Sequence, residues 1–356
     1  MKRLVAFSGP SGAGKTTLIE RLIPIWVAKG RRVGVVKHDP HGHASLDTPG
    51  KDSWRFREAG AAAVQVLGPE TTTTVSRSGG EDLDRATSPE LRACDLLIVE
   101  GFKSGPLTRI EVVGEGDSPL LALGTIAVVG PEPQPCRLPF FLRDDVEQIA
   151  TFVTNFLKGL STPVAVLAGG MSRRMGRDKA TATLPSGQTL LERAIGVGRE
   201  VAADVVVVSR WPELHRQIAE SSGAGFLEDD SPEAHPGWGI VAALRDSGRG
   251  VIAIPCDIPG LRPEVLRRLE AEADASGADF VCFAIEGRLH PLPGCFGPGS
   301  LEPLEGIARE GRPLYDLAAE VDTVVLSQKQ AASMDPTLAS FQSLNTPEEL
   351  AAYGQL

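Results

Sequence analysis

Short apolar runs alternate with glycine loops and amphipathic segments along the chain. The first run is Leu4–Phe7, followed by a loop rich in glycine and then by the helical pattern Thr17–Ile23. Strand-length runs that alternate with a 3.6-residue period predict an α/β fold. Further strands are predicted, with Gly or Pro nearby, at Val33–Val36, Val64–Leu67, Leu96–Val99, Ile110–Val113 and Ile126–Val129.

The pattern is interrupted once and then restarts. A helix is predicted over Asp144–Leu157, and Gly159 and Pro163 end it. The strand and helix pattern then returns at Val164–Leu167, Leu190 to about Val201 (a helix), Asp204–Val208, Val251–Ile254, Asp279–Phe283 and Thr323–Leu326. We therefore predict two α/β domains, residues 1–158 and residues 163–356.

Length and charge agree with this division. The chain has 356 residues, enough for two domain cores. It carries 36 Lys+Arg and 46 Asp+Glu, and residues 1–158 hold 19 of each, so the whole net charge of −10 falls on the rest. No basic stripe of the kind that duplex nucleic acid requires is present, which predicts no nucleic-acid partner.

Targeting and cysteine patterns narrow the class of protein. No apolar run approaches the length of a membrane span, and the N-terminus reaches glycine too early for a signal peptide. We therefore expect a cytoplasmic protein without a membrane partner. Five cysteines without C-x-x-C spacing argue against a disulfide scaffold and a zinc site.

The first glycine loop fits the P-loop pattern G-x-x-x-x-G-K-[ST] over Gly9–Thr16. Its backbone N–H groups and the following helix N-terminus are suited to phosphates, Lys15 to the outer phosphates and Thr16 to Mg²⁺. Glu100 ends the apolar run Leu96–Val99 and is a second predicted metal contact. The predicted nucleotide-binding residues of this loop are Gly9, Gly12, Gly14, Lys15, Thr16 and Thr17.

A polar loop follows the second predicted strand. Its acids Asp39, Asp47 and Asp52 are either further metal contacts or solvated loop residues. Its histidines His38, His41 and His43 fit either a transition-metal site or a loop that contacts phosphate or water.

The first domain resembles a known family. The P-loop with Thr17, Val36-Lys37-His38, Pro49-Gly50-Lys51-Asp52-Ser53 and Glu100-Gly101-Phe102-Lys103 are similar to the molybdopterin-guanine dinucleotide biosynthesis adaptor, the MobB family. The resemblance covers about the first 155 residues. It implies a P-loop NTPase-type domain that binds GTP, forms homodimers and assists a partner enzyme.

The second glycine loop runs from Leu167 to Lys179 without a Walker lysine. Gly169 and Gly170 allow a nucleotide to approach the backbone, and Arg174 and Lys179 can balance the charge of a triphosphate. Asp257 follows an apolar strand, where a Mg²⁺ ligand is expected. Asp230 is either a second acid of the same pocket or a helix cap.

The second domain resembles the molybdenum cofactor guanylyltransferase, the MobA family. The motifs are Leu-Ala-Gly-Gly-x-Ser-x-Arg-Met-Gly-x-Asp-Lys, Cys256-Asp257-x-Pro259, Gly287-Arg288-x-His290-Pro291 and Leu344-Asn345-Thr346-Pro347. The resemblance implies a Rossmann-like nucleotidyltransferase that moves GMP from Mg·GTP to molybdopterin and releases pyrophosphate. It also makes the molybdenum cofactor a partner and allows molybdoenzymes or their chaperones as further ones.

The resemblance also assigns roles to residues. Leu167, Ala168, Gly169 and Gly170 would touch the nucleotide, Lys179 its phosphates and Asp230 the guanosine. Asp257 would hold magnesium, Arg174 and Lys179 would stabilise the departing pyrophosphate, and Asn345 would lie near the pterin phosphate. His290 would shape the pocket or contact the pterin.

Two alternatives remain open. Where relatives often carry Asn after the second strand, this chain has Ser209-Arg210. Base choice depends on hydrogen bonds to the base edge, so a cytidylyltransferase acting on the same pterin stays possible. The other alternative is a GTP-driven carrier of the molybdenum cofactor without transferase activity, against which the intact Arg174, Lys179 and Asp257 argue.

Overall fold

A computed structural model of the chain describes residues 3–38, 63–67, 72–76, 91, 94–101, 107–169, 178–231 and 234–353. Its first sheet has the strand order β2-β5-β1-β6-β7-β8, and every pair in it is parallel. These strands are β1 (Leu4–Ser8), β2 (Val33–Lys37), β5 (Leu96–Glu100), β6 (Arg109–Val112), β7 (Thr125–Gly130) and β8 (Phe140–Leu142). The strands β3 (Ala63–Leu67) and β4 (Thr72–Ser76) form a separate antiparallel pair.

Two helices cover one face of the first sheet, α1 (Lys15–Ala28) and α2 (Val146–Leu160). Their apolar stripes, which include Leu22 of α1 and Val153 of α2, pack in one core with Phe7 of β1. A fully buried strand such as β1 is apolar on both faces, which is typical of parallel sheets. The packing leaves the loop between β1 and α1 at the carboxyl edge of the sheet, where parallel α/β proteins bind ligands.

The second sheet has the order β11-β10-β9-β12-β14-β13-β15, with β14 antiparallel to both of its neighbours. Its strands are β9 (Val164–Leu167), β10 (Val205–Ser209), β11 (Gly225–Glu228), β12 (Val251–Pro255), β13 (Phe280–Ile285), β14 (Arg288–Phe296) and β15 (Thr323–Ser327). The helices are α3 (Leu190–Val201), α4 (Pro212–Ser221), α5 (Pro236–Ser247), α6 (Pro263–Ser276), α7 (Leu301–Glu310), α8 (Gln328–Ala332) and α9 (Pro347–Ala352).

Helices lie on both faces of the second sheet. Along β9, Val164 and Val166 face a core that contains residues of α3 and α6, while Ala165 faces a core with residues of α5 and α7. This alternation follows from the period of two in a strand. The chain passes from β9 to β10 on one side and reaches β12 on the other, so the strand order reverses between β9 and β12.

These features confirm the predicted α/β class of both parts. The helix predicted from Leu190 begins there because Thr189 and Glu192 form a capping box: Thr189 Oγ1 accepts the Glu192 N–H, and Glu192 Oε2 accepts the Thr189 N–H. One core extends from Val5 to Leu157 and the next begins at Val164. The division at residues 158–163 stays a prediction that these two cores support.

All five cysteines are free in the structure. Among the described residues, no helix is both long enough and apolar enough to cross a membrane.

Candidate functional site

The carboxyl ends of β9 and β12 form the candidate site of the second domain. These strands are parallel neighbours, with Leu167 opposite Pro255, and they flank the point where the strand order reverses. Ligands of open α/β sheets bind in the crevice at such a point. The predicted residues Leu167, Ala168 and Gly169 leave the first strand here, and Asp257 leaves the second.

Three predicted residues from distant parts of the chain meet at this edge. Lys179 Nζ donates to Asp257 Oδ2 at 2.6 Å and to Asn345 Oδ1 at 3.1 Å. The Leu344 N–H donates to the Asp257 carbonyl at 2.9 Å, which ties the C-terminal segment to the end of β12. The side chains of Lys179 and Asp257 are 14% and 22% exposed, so the ion pair is only partly screened by water.

The chemistry of these groups suits a magnesium triphosphate. Asp257 supplies a carboxylate oxygen, the ligand type that Mg²⁺ prefers, and Lys179 supplies a cation beside it. Among the described residues, no group of three His, Cys, Asp or Glu side chains is placed to hold a metal. In proteins, Mg²⁺ is commonly held by one or two carboxylates together with substrate phosphates.

The loop that carries Asp230 approaches the same edge through Arg210. The Arg210 side chain packs against Gly169, since a Cβ built on that glycine would lie 3.4 Å from Arg210 Cγ. Arg210 Nη2 donates to the carbonyl of Ser231 at 2.9 Å. The exposed Asp230 directly precedes Ser231 in the chain.

Three further residues were predicted for the second site, namely His290, Gly170 and Arg174. His290 lies edge-on to Phe341, with ring centroids 5.8 Å apart, and burial lowers its pKa. The predicted residues Gly170 and Arg174 lie outside the described residues.

The P-loop forms the candidate site of the first domain. Gly9 has a φ of +147°, and a Cβ at this position would lie 2.0 Å from the carbonyl oxygen of Val112. Only glycine fits such a close backbone approach. Gly12 also has a positive φ, and Gly14, with a φ of 88°, caps α1. Thr17 lies in the first turn of that helix.

Lys15, Thr16 and Glu100 lie together at this loop. Lys15 Nζ donates to the carbonyls of Gly9 at 3.1 Å and Pro10 at 2.6 Å. Thr16 Oγ1 donates to Glu100 Oε1 at 2.6 Å, so the two predicted metal contacts are neighbours in space. A hydroxyl and a carboxylate oxygen are both suitable Mg²⁺ ligands.

The polar loop after β2 is described only at its start. The His38 N–H donates to the Glu100 carbonyl at 2.9 Å, and a Cβ on Gly101 would lie 3.2 Å from His38 Cβ. Asp39, His41, His43, Asp47 and Asp52 lie outside the described residues.

Two residues near these sites were missed by sequence reasoning. The guanidinium of Arg143 lies beside the P-loop, 3.3 Å from where a Cβ of Gly14 would be, and donates to the Val113 carbonyl at 3.0 Å. His215 contacts Asp178, the neighbour of Lys179, at 3.0 Å. A cation directly after the short β8 was the available signal for Arg143, whereas His215 in a helix gave no signal.

Two family models match the chain. The model described as molybdopterin guanine dinucleotide synthesis protein B matches residues 4–129, and the MobA-like NTP transferase domain matches residues 164–324. The molybdopterin-guanine dinucleotide biosynthesis adapter protein of Escherichia coli (strain K12) is 35% identical over 164 residues, which are 44% of this chain and 93% of that protein. The chain belongs to both families. This confirms the two resemblances.

Further relatives match the MobA-like part. A "probable molybdenum cofactor guanylyltransferase" of Nostoc sp. is 32% identical over 194 residues, which are 52% of this chain and 87% of that protein. The crystal structure of molybdopterin-guanine dinucleotide biosynthesis protein A from Archaeoglobus fulgidus is 26% identical, covering 55% of this chain and 97% of its own, with a TM-score of 0.49. The MobA-like match includes Lys179 and Asp257, whereas Asn345 lies beyond it.

Proposed function

We propose that the MobA-like part transfers GMP from Mg·GTP to the terminal phosphate of molybdopterin, giving molybdopterin guanine dinucleotide and pyrophosphate. The proposal rests above all on the contact of Lys179 with Asp257 and Asn345 in a member of the guanylyltransferase family. The MobB-like part binds GTP in an accessory role.

The reaction is an in-line displacement at the α-phosphorus of GTP. A phosphate oxygen of molybdopterin forms the new P–O bond, and the bond to the β-phosphate breaks with release of pyrophosphate. The attacking phosphate is already ionised at pH 7, so no general base is assigned. Such transfers depend on positioning and on stabilisation of charge, which is the role of Lys179 and Arg174.

Asp257 would hold the metal in this site. Bound there, Mg²⁺ would offset the negative charge of the phosphates. The Lys179 ammonium now contacts the same carboxylate, and its long side chain can turn to the triphosphate when GTP enters. Asn345, which accepts from Lys179 Nζ, would then hold the amine between Asp257 and the pterin phosphate.

The remaining assignments concern nucleotide binding. Leu167, Ala168, Gly169 and Gly170 would contact the nucleotide through their backbone, and Asp230 the guanosine. In the first domain, the P-loop from Gly9 to Thr17 would hold a second GTP, with Thr16 and Glu100 at its Mg²⁺. The Thr16 to Glu100 hydrogen bond supports this pairing.

The test is product analysis with the purified full chain, molybdopterin and Mg²⁺. With GTP we expect pyrophosphate and a guanine dinucleotide, identified by mass spectrometry, and with CTP neither product. A cytosine dinucleotide would instead support the cytidylyltransferase. Slow release of inorganic phosphate alone, with no dinucleotide, would support the carrier and contradict the proposal.

A further inference from the structure

A fully buried histidine contacts the residue that directly precedes Lys179. His215 lies on α4 with a relative exposure of 0%, and both ring nitrogens have hydrogen-bond partners. Nδ1 is 2.7 Å from Ser209 Oγ and Nε2 is 3.0 Å from Asp178 Oδ2. An ionised carboxylate only accepts hydrogen bonds, so Nε2 carries the hydrogen that is shared with Asp178.

Ser209, at the other end of these hydrogen bonds, also has partners for its hydroxyl group. Ser209 Oγ accepts the Trp211 N–H at 3.0 Å and can still donate its own hydrogen to His215 Nδ1. Ser209 is 0% exposed. Because Ser209 is fully buried, its hydroxyl is not exposed to a substrate, and we assign it no nucleophilic role.

Asp178 connects His215 to the turn that contains Lys179. Its Oδ2 accepts the Thr181 N–H at 2.9 Å as well as His215 Nε2. The turn is closed by the Ala182 N–H, which donates to the Lys179 carbonyl at 3.0 Å. The backbone of Lys179 is therefore fixed on both sides, and its side chain starts from a defined position toward Asp257 and Asn345.

We propose that the buried Ser209 and His215 and the partly buried Asp178 form a hydrogen-bonded chain that positions Lys179 for the phosphates of the nucleotide. His215 is a positioning residue, since it acts through Asp178. The inference rests on the proposed function. Groups that orient a charged side chain from behind usually matter to binding because the side chain otherwise loses affinity to conformational freedom.

The test uses the full chain with Lys15→Ala, which weakens the P-loop site so that titrations report the second site. The dissociation constants of Mg·GTP and of GMP are measured by calorimetry. His215→Phe removes both hydrogen bonds at similar volume and should weaken GTP binding by about 10- to 100-fold. GMP lacks the outer phosphates, so its affinity should not change.

The conservative variant separates positioning from packing. His215→Gln keeps an amide donor that can reach Asp178 and should restore most of the GTP affinity. If His215→Phe does not fold, His215→Asn, which is too short to reach Asp178, takes its place with the same expectation. A loss of active protein would change the binding stoichiometry instead of the dissociation constant.

A matched control removes a buried hydroxyl elsewhere in the same domain. Ser300 is 0% exposed and donates to the Asp279 carbonyl before β13, at the sheet end opposite the site. Ser300→Ala should lower the melting temperature without altering either dissociation constant. Equal loss of GTP and GMP affinity in His215→Phe, unchanged GTP affinity, or no restoration by Gln would overturn the proposal.

Failure of the proposed function would look different. Suppose that the unsubstituted chain makes no dinucleotide, but His215→Phe selectively weakens GTP binding. The transferase assignment then fails and the positioning role of His215 stands. If the parent chain turns over and His215→Phe binds GTP normally, only the positioning role fails.

Discussion

At the second site, Cys256 and Asp178 carry ionisable groups whose charged forms are destabilised by burial. Cys256 directly precedes Asp257 and is buried, and burial together with the nearby carboxylates of Asp257 and Asp178 raises the pKa of its thiol to about 12. Asp178 shows the opposite result. Burial acts to raise its pKa, but hydrogen bonds from His215 and Thr181 outweigh that effect and lower it.

The first prediction concerns the thiol. The thiolate is the reactive form of cysteine, so Cys256 should resist iodoacetamide in the native protein at pH 8. Cys136 is only partly buried and serves as the control, which should react. Mass spectrometry of the alkylated peptides is the measurement. Equal labelling of both cysteines would show that Cys256 is accessible.

The second prediction concerns the pH dependence of stability. Folding lowers the pKa of Asp178, so its ionised carboxylate stabilises the folded state. This stabilisation is complete above pH 3.8, the ordinary pKa, and is lost as the pH falls through the pKa of the folded state. Asp178→Asn should lower the free energy of unfolding at pH 7 by about 1 to 2 kcal/mol. Urea unfolding should show the difference narrowing below pH 3.8; a constant difference would contradict the assigned hydrogen bonds.

At the scale of elements, each candidate site depends on a loop that leaves a buried parallel strand. In the first domain the loop begins at Gly9, whose positive φ and approach to Val112 fix the direction in which the P-loop turns. In the second, β9 and β12 place Gly169 and Asp257 at one crevice. The strands thus determine where each loop lies at the edge of its sheet.

The third prediction tests the first of these loops. Gly9→Ala would force Cβ against the Val112 carbonyl, so the loop must shift, and the GTP affinity of the P-loop site should fall about tenfold or more. The titration uses Lys179→Ala to weaken the second site.

Gly159→Ala is the matched control, because in the described part of the chain no atom beyond its chain neighbours and the α2 backbone lies within 4 Å of the added Cβ. It should leave GTP affinity unchanged and stabilise the helix by about 0.5 to 1 kcal/mol. An undiminished affinity in Gly9→Ala would show that the P-loop does not form the GTP site.

The elements also show where sequence patterns succeed. Apolar runs such as Val164–Leu167 are long enough to be recognised, and Thr189 with Glu192 marks the start of α3. β14 was not predicted, since Pro291 and Pro293 interrupt its pattern. Its pairing between β12 and β13 decides its conformation, because strand formation depends more on tertiary contacts than on local preference.

The site residues also differ in how far sequence patterns predict them. Lys179 belongs to the recognisable motif of the second glycine loop, and Asp257 follows an apolar strand, so both were predictable. Their contact with Asn345 required the family resemblance, and the contact of His215 with Asp178 depends on packing of α4 beside β10. No local pattern encodes such a contact, because a histidine in an amphipathic helix is normally a core or surface residue.

At the scale of the whole molecule, the junction between the two parts is buried and hydrogen bonded. The Thr162 N–H donates to Glu270 Oε1 on α6 at 2.6 Å, and both residues are buried. Arg3, which precedes β1, donates from Nη2 to the Ala271 carbonyl at 3.2 Å. Burial raises the pKa of the Glu270 carboxyl. Helix α6 thus contacts both Thr162, which lies just before β9, and Arg3, the residue before β1.

The fourth prediction tests this junction. Glu270→Ala leaves the buried Thr162 N–H without its acceptor and should lower the free energy of unfolding by about 1 to 3 kcal/mol. It should also speed proteolysis between residues 158 and 163. Glu270→Gln retains an acceptor oxygen without a charge and should behave like the parent chain. If Gln is as harmful as Ala, the charge and not the hydrogen bond holds the junction.

We propose one GTP site at the P-loop and another at the ends of β9 and β12, and we assign bond breaking to the second site alone. GTP labelled at the α-phosphate, incubated with the full chain, Mg²⁺ and molybdopterin, tests this assignment most directly. The account predicts that the label appears in the pterin dinucleotide, that label at the γ-phosphate appears in pyrophosphate, and that Asp257→Asn abolishes both. Label from the α-position remaining in GTP or GDP, or full transfer by Asp257→Asn, would contradict it.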